Sequence, residues 1–316
     1  MQQRKLGSTG LVVGAIGLGC MGMSFAYNQS RRDDRESVAV INKAIDEGIT
    51  LIDTADVYGP FTNEALVGRA IRDRRDEIVL ASKCGLVVRD GEIVPSGHPD
   101  YIRQAVSGSL YRLGVDVIDL YQLHRVDPAI PLAETWGAMA ELVQSGLVRA
   151  IGMSEADVAQ LDTAHAIHPV ATVQTELSLW SRDVLAEVLP WCRANGAGFI
   201  AYSPLGRGFL AGALAEAEDL EDTDWRRGNP RFQPEAVREN QRLVRIVRSV
   251  AERKGVTPAQ VALAWVLAVG DDVVPIPGTT RLSHLADNIA AQDVRLTEED
   301  LAELTVIADQ VVGSRY

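Results

Sequence analysis

Eight short apolar runs recur along the chain, each followed by a longer amphipathic stretch, and this alternation restricts the fold more than any single motif does. The runs are AIGLGC, TLIDTA, EIVLASK, VIDLYQLH, VRAIGMS, TVQTEL, GFIAYSPL and VVPIPG. They are rich in Val, Ile and Leu and lack polar alternation, the pattern of parallel strands buried on both faces. Between them lie helical patterns such as RESVAVINKAIDEG, YIRQAVSGSLYRLG, LAETWGAMAELVQSG and RDVLAEVLPWCRANG, several ending in Gly as a helix C-terminus does. Strand–helix alternation gives βαβ units. Eight such units in 316 residues predict one α/β domain over residues 1–316, a (β/α)8 TIM barrel, with an open doubly wound sheet as the alternative. The opening RKLGSTGLVVGAI predicts an N-terminal β-hairpin beneath the barrel. After the seventh run comes a long irregular segment, Arg207 to Glu235, which reads as a lid-like loop or a tolerated insertion.

One short motif competes with this reading. GLGCMG, Gly17 to Gly22, matches the G-x-G-x-x-G fingerprint of open dinucleotide-binding sheets. That fingerprint must open a helix and precede an acid on the next strand. Here the polar stretch MSFAYNQSRRDD follows, with a helix starting near Asp34, so the fingerprint fails. On the barrel reading, Gly19, Cys20 and Met21 lie at the mouth, where the glycines keep a flat floor and Cys20 and Met21 line the pocket.

Composition excludes several classes. A net charge of −12 argues against a nucleic-acid or anionic-membrane surface, so any phosphate must be held locally. Cys20, Cys84 and Cys192 have no metal or redox spacing and read as free thiols in a reducing, cytoplasmic setting. The start MQQRKLGSTG lacks the apolar core of a signal peptide, and no apolar run is long enough to span a membrane.

Active sites of such barrels sit at the C-terminal ends of the strands. The second run ends at Asp53, with Tyr58 five residues on; the third ends at Lys83 and the fourth at His124. A lysine emerging from an apolar strand needs a carboxylate partner, and Asp53 is at the matching level. A nearby ammonium stabilises a phenolate and lowers the pKa of its tyrosine. A histidine across the pocket can hydrogen-bond the reacting oxygen. The set suits proton donation to a carbonyl oxygen as it becomes an alkoxide. It holds no nucleophile–base pair and no metal set, so the electrons come from a hydride donor.

The segments IDTADVYG, ASK, DLYQLHRVD, GMSEA, AYSPLGRGFLAG and PIPGTTRLSHLADN resemble the aldo-keto reductase superfamily, over essentially the whole chain. The resemblance is closest to its branch of microbial pyridoxal-type reductases and plant perakine-reductase-like and auxin-induced-protein-like enzymes. It implies a barrel that uses NADPH to reduce aldehydes and ketones, without metal. It places Tyr58 as the general acid, Lys83 with Asp53 as its tuning pair, and His124 as the residue orienting the substrate carbonyl or assisting proton transfer. It also implies that Ser154 and Gln174 bond the nicotinamide amide and that Tyr202 stacks on the ring. Ser203, Leu205, Gly206 and Gly208 would wrap the pyrophosphate. Gly278, Thr279 and Thr280 would begin the adenosine-phosphate segment, with Thr280 or Arg281 on the 2′-phosphate and Asn288 on adenine. The run from Arg207 to Gly212 would close over the pyrophosphate.

This chain departs from the pattern at several positions. Glu155 stands where many relatives have Asn; His284 and Asp287 stand where Arg or Gln and Glu are usual; Cys84 replaces a frequent Phe and reads as a small core residue or a redox-sensitive thiol. Arg125 is expected to neutralise charge near the cofactor or to pair with Asp127. Trp180 reads as mouth-lining or core, Trp225 and Phe232 as candidate substrate contacts, and His165 and His168 as structural. The expected partner is a small carbonyl substrate, without nucleic acid or membrane, on a monomer or homo-oligomer. A cofactor-binding non-catalytic subunit or redox sensor on the same fold, and an unrelated barrel isomerase or lyase, are the competing hypotheses. The last leaves SPLGRG and IPGTTR unexplained.

Overall fold

The structure, a computed structural model, describes residues 1–27 and 29–316; Asn28, in the polar stretch after GLGCMG, lies outside the described residues. All eight apolar runs form strands of one parallel sheet. They are β3 (Leu18–Gly19), β4 (Leu51–Asp53), β5 (Val79–Cys84), β8 (Ile118–Leu123), β9 (Val148–Ser154), β10 (Thr172–Glu176), β11 (Gly198–Tyr202) and β12 (Val273–Pro275). Their spatial order is β12-β11-β10-β9-β8-β5-β4-β3, so each pairs with its successor among these eight. Backbone hydrogen bonds close the circle, from Gly17 N–H to the Pro275 carbonyl at 2.9 Å and from Gly19 N–H to the Pro277 carbonyl at 3.4 Å. The result is a (β/α)8 barrel.

The closing seam gives a packing reason for two glycines of GLGCMG. A Cβ on Gly19 would stand 2.8 Å from the Ile276 carbonyl oxygen, and one on Gly17 would stand 2.8 Å from the Ile276 side chain. The glycines are there because two backbones meet, which a side chain would prevent. They join the last strand to the first.

The outer helices are α1 (Asp34–Asp46), α2 (Thr62–Ile71), α3 (Pro99–Leu113), α4 (Leu132–Gln144), α5 (Val158–His165), α6 (Val188–Asn195), α7 (Pro234–Lys254), α8 (Pro258–Ala268), α9 (Leu282–Ala290) and α10 (Glu298–Gln310). Their boundaries follow local chemistry. Asp33 caps α1 by accepting from the N–H groups of Arg35 and Glu36. Reciprocal capping boxes start α5, α8 and α10. Gly114, Gly196 and Gly255 end α3, α6 and α7 with φ of 68°, 68° and 66°. The stretch from Arg182 to Gly196, expected as one helix, instead breaks into a 3-10 turn at Asp183–Leu185 and then α6. The break puts Pro190 in the first turn of α6, where its missing N–H costs nothing.

The hairpin β1 (Gln3–Lys5) with β2 (Val12–Gly14) lies under the barrel, as its Ser8 N–H donates to the Gly196 carbonyl just ahead of β11. Its Leu6 and Val13 join Leu51, Ala81, Leu120, Ile200, Val274 and Ile276 in a plug of buried side chains. A second hairpin, β6 (Leu86–Arg89) with β7 (Glu92–Pro95), stands at the mouth after β5. Its turn places Asp90 and Gly91 at φ of 52° and 84°. Asp-Gly flanked by strand residues is the signature of this turn, so the hairpin was present in the sequence though absent from the reading above. Among the described residues no helix is long and apolar enough to cross a membrane. Cys20, Cys84 and Cys192 are free thiols, all buried.

Candidate active site

Four side chains from three strand ends meet at the mouth. Lys83, from β5, is fully buried, and Asp53, from β4, is nearly so. The Lys83 ammonium donates to Asp53 Oδ1 at 2.5 Å and to the Thr54 carbonyl at 2.9 Å, and it lies 3.4 Å from the Tyr58 hydroxyl. Asp53 Oδ2 accepts from the Gln174 amide at 2.9 Å and from the Gln122 amide at 3.4 Å. The carboxylate thus has donors on both oxygens, as a buried charge requires.

Tyr58 is held by a compact loop between β4 and α2. Thr54 donates to Asn63 Oδ1 at 2.6 Å, and the Asn63 amide donates to the Cys20 carbonyl at 2.9 Å and to Ser24 Oγ at 2.7 Å. This network ties the loop to the segment after β3. The Tyr58 ring stacks near Phe25, centroids 6.0 Å apart, and meets His124 edge-on at 5.6 Å. Met21, Phe25 and Leu86 pack around it.

The electrostatics set definite protonation states. Burial raises the Tyr58 phenol above its ordinary pKa; Lys83 pulls it down and Asp53 pushes it up. The expected lowering by lysine is therefore outweighed, and Tyr58 is a neutral O–H donor. For Lys83, burial pulls the pKa down most strongly, yet Asp53 and Tyr58 together hold it above the usual value. Burial, then Lys83 and Arg125, drive His124 well below the ordinary histidine range, so it is neutral. Its Nδ1 is buried without a hydrogen-bond partner. The arrangement combines a protonated phenol, a cation 3.4 Å behind it and a neutral imidazole beside it, which is a proton-donating oxygen site.

The expected cofactor residues fall on the strand ends beyond this set. Ser154, at the end of β9, accepts from Arg125 at 3.2 Å, and Arg125 also donates to the His124 carbonyl at 2.6 Å. Asp127 gives its oxygens to the N–H groups of Gly97 and Ala129, so it does not pair with Arg125. Glu155 has φ of 56° and Ser203 φ of 48°, left-handed conformations that non-glycine residues adopt at a cost of about 1–3 kcal/mol. Gly206, Arg207 and Gly208 continue that pattern, with φ of 55°, 57° and 91°. Beneath them, Trp180 stacks on Phe209 and meets Phe232 edge-on, and a Cβ on Gly206 would stand 2.7 Å from the indole ring. Trp180 is thus the support of the loop that begins at Leu205. Phe232, expected as a substrate contact, is fully buried against the same support; Trp225 is 45% exposed. Cys20 is fully buried, its thiol turned to the Leu18 carbonyl, whereas Met21 is beside Tyr58.

The segment between β11 and α7 is a chain of four 3-10 turns docked on the loop after β3. Trp225 N–H donates to the Ala26 carbonyl at 3.1 Å, and the Arg226 guanidinium lies 4.9 Å from the Tyr27 ring centroid. Beyond β12, Gly278, Thr279 and Thr280 lead into α9, whose first N–H groups have no side-chain cap at Arg281. Thr279 Oγ1 accepts from the Arg281 N–H at 3.1 Å. Arg281 and His284 are exposed, Asp287 half-buried and Asn288 buried.

Sequence reasoning missed a charge cluster at the end of β10. Glu176, buried, accepts from Ser181 at 2.7 Å and faces three guanidiniums: Arg207 at 3.3 Å, Arg315 at 3.2 Å and Arg231 at 3.7 Å. Arg315 also pairs with Glu155. Three cations against two carboxylates leave one positive charge in excess, at the mouth of a chain of net charge −12. This is a local concentration of positive charge against an acidic background. No group of His, Cys, Asp and Glu among the described residues is suited to a metal ion.

Comparison with known proteins agrees with this geometry. Residues 15–309 match the Aldo/keto reductase family. A thermostable aldo-keto reductase, Tm1743, solved in complex with the inhibitor epalrestat, is 33% identical with a TM-score of 0.78, covering 97% of this chain and all of that one (100%). The glycerol dehydrogenase AKR11B4 from Gluconobacter oxydans is 29% identical with a TM-score of 0.86, over 99% of this chain and 97% of that one. The aldo-keto reductase AKR11C1 from Bacillus halodurans, in its holo form, is 26% identical with a TM-score of 0.80, over 99% and 98%.

Proposed function

Because the chain belongs to the Aldo/keto reductase family, we propose that it reduces an aldehyde or ketone to an alcohol, reversibly, with NADPH as the electron donor. The observation that carries this reading is the buried Asp53–Lys83–Tyr58 relay, with the ammonium 3.4 Å from the phenol oxygen and neutral His124 on the other side. NADPH, when bound, supplies a hydride. The protein's own contribution is the proton and its destination. Tyr58 gives its proton to the carbonyl oxygen as negative charge develops there. Lys83, 3.4 Å from the phenol oxygen, stabilises the phenolate left behind, an attraction worth more in a dry site than in water. Asp53 keeps that lysine charged and aimed. His124 orients the carbonyl through a ring nitrogen. In alcohol oxidation the phenolate takes the proton back.

The residues suit a dinucleotide. The excess positive charge around Glu176 favours an anion, and the left-handed run at Gly206 to Gly208 brings backbone close to whatever it covers. Tyr202, at the end of β11, would offer its ring to the nicotinamide, with Ser154 and Gln174 bonding the amide. The uncapped start of α9 suits the adenosine phosphate, with Thr280, Arg281 and His284 near the 2′-phosphate. Three buried free thiols suit a reducing, cytoplasmic setting. The intact tetrad favours an enzyme over a non-catalytic subunit.

The test is a fluorescence titration with NADPH and an aldehyde and ketone panel run on the parent chain and on Tyr58→Phe. Binding with turnover, and a loss of roughly 10²–10⁴-fold in kcat for the variant, is expected. Tight binding without turnover on the whole panel, or full activity of Tyr58→Phe, refutes the reading.

A further inference from the structure

Residues 311–316 form a strap across the mouth, and what it touches differs from anything the family pattern placed there. Asn240 pairs with both backbone groups of Val312, at 2.8 and 2.9 Å. Gly313, at φ of 90°, lies against the backbone of Arg231, and the Asn229 amide donates to the Arg315 carbonyl at 2.8 Å. The Tyr316 hydroxyl is 2.6 Å from the Tyr202 hydroxyl, and the Arg207 guanidinium is 5.2 Å from the Tyr316 ring centroid. Arg315 donates to the Tyr202 hydroxyl at 3.1 Å, pairs with Glu155 and lies 3.2 Å from Glu176. One guanidinium therefore joins the ends of β9, β10 and β11 through two carboxylates and a phenol.

We propose that Arg315 is a positioning residue of the dinucleotide site: by pinning Tyr202 and neutralising Glu155 and Glu176, it checks the preference those carboxylates create for the oxidised, positively charged nicotinamide. The inference rests on the reading of Tyr202 as the face of the nicotinamide site. Oxidised nicotinamide carries a positive ring charge and the reduced ring does not, so carboxylates around it distinguish the two forms. Glu155 stands out, because it occupies a strained left-handed position where a neutral side chain would place no charge. With the guanidinium in place, the carboxylates are compensated. Without it, Glu155 has no other cation within ion-pair distance among the described residues, and Glu176 has only Arg207 and Arg231.

The experiment measures dissociation constants for NADP+ and NADPH, each by fluorescence or calorimetry, on the parent, Arg315→Met, Arg315→Lys and Glu155→Gln. Arg315→Met is expected to shift the ratio of the two constants about tenfold toward NADP+, the size of a modest change in a partly screened charge pair. Arg315→Lys, which restores the charge, keeps the ratio near that of the parent. Glu155→Gln moves it the opposite way, toward NADPH. Equal weakening of both nucleotides in Arg315→Met overturns the proposal and leaves the strap a packing element. A shift of Glu155→Gln in the same direction as Arg315→Met overturns it too. A parent chain that binds neither nucleotide overturns the dinucleotide reading itself, a failure recognisable before any variant is compared.

Discussion

Replacing Lys83 by Met separates the two tasks of the buried pair. Methionine fills much the same volume but leaves Asp53 as a carboxylate, 3% exposed, with the amides of Gln174 and Gln122 and, among the described residues, no cation within ion-pair distance. Removing one member of a buried ion pair costs about 3–5 kcal/mol, because the remaining charge is uncompensated. Over 316 residues, an unfolding entropy of roughly 2.1 cal/mol/K per residue gives about 0.7 kcal/mol/K, so Tm falls by about 4–7 °C at neutral pH. Adding Asp53→Asn removes the charge and recovers most of the lost Tm. It does not recover turnover, since the phenol still lacks its cation. Circular-dichroism melts at pH 5 and pH 8 on both variants, beside initial rates, measure the two effects. A Lys83→Met melt within about 1 °C of the parent at pH 8, or a double variant that melts no higher than the single one, refutes the argument.

Two further outcomes follow from the surroundings of the site. Asp56 is buried, its carboxyl pushed up to about 7 chiefly by burial and then by Glu64, with the Tyr101 hydroxyl 3.0 Å from one oxygen. That raised folded pKa contributes stability at acid pH and loses it as pH rises toward 7, so Asp56→Asn raises Tm at pH 8 and leaves it nearly unchanged at pH 5, read by differential scanning fluorimetry. Gly206→Ala places a methyl 2.7 Å from the Trp180 ring at a φ of 55°, so the loop shifts and NADPH binds at least tenfold more weakly in a fluorescence titration, while the tetrad is untouched; unchanged affinity refutes the role given to Trp180.

The barrel was legible because its strands are buried on both faces, and burial leaves a plain record as unbroken Val, Ile and Leu. The tetrad was legible for a related reason: Lys83 emerging from IVLAS is an anomaly that only a partner resolves, and Asp53 is one strand away. What escaped depends on contacts between distant segments. The glycines of GLGCMG match a phosphate motif in one dimension, yet Gly17 and Gly19 are crowded by Ile276, more than 250 residues on. Phe232 lies in a polar-looking stretch, and only the fold shows that it turns inward onto Trp180. The lowering of the Tyr58 pKa was read from pair chemistry alone, and burial, which a sequence does not quantify, proved the larger influence. Arg315 carries no local signature at all, since its partners come from three strand ends.

The convergence of Arg207, Arg231 and Arg315 on the single carboxylate of Glu176 bears on how this scaffold can be altered. Loops at a barrel mouth are usually exchanged as independent modules. Here the start of the insertion, its end and the strap share one anchor, so their contributions are not additive. A segment transplanted from another barrel either arrives as a cation without an acceptor or leaves Glu176 short of one. Diversity at this rim is therefore inherited as a set, and recombination libraries built on this chain will retain function when the crossovers keep all four residues together.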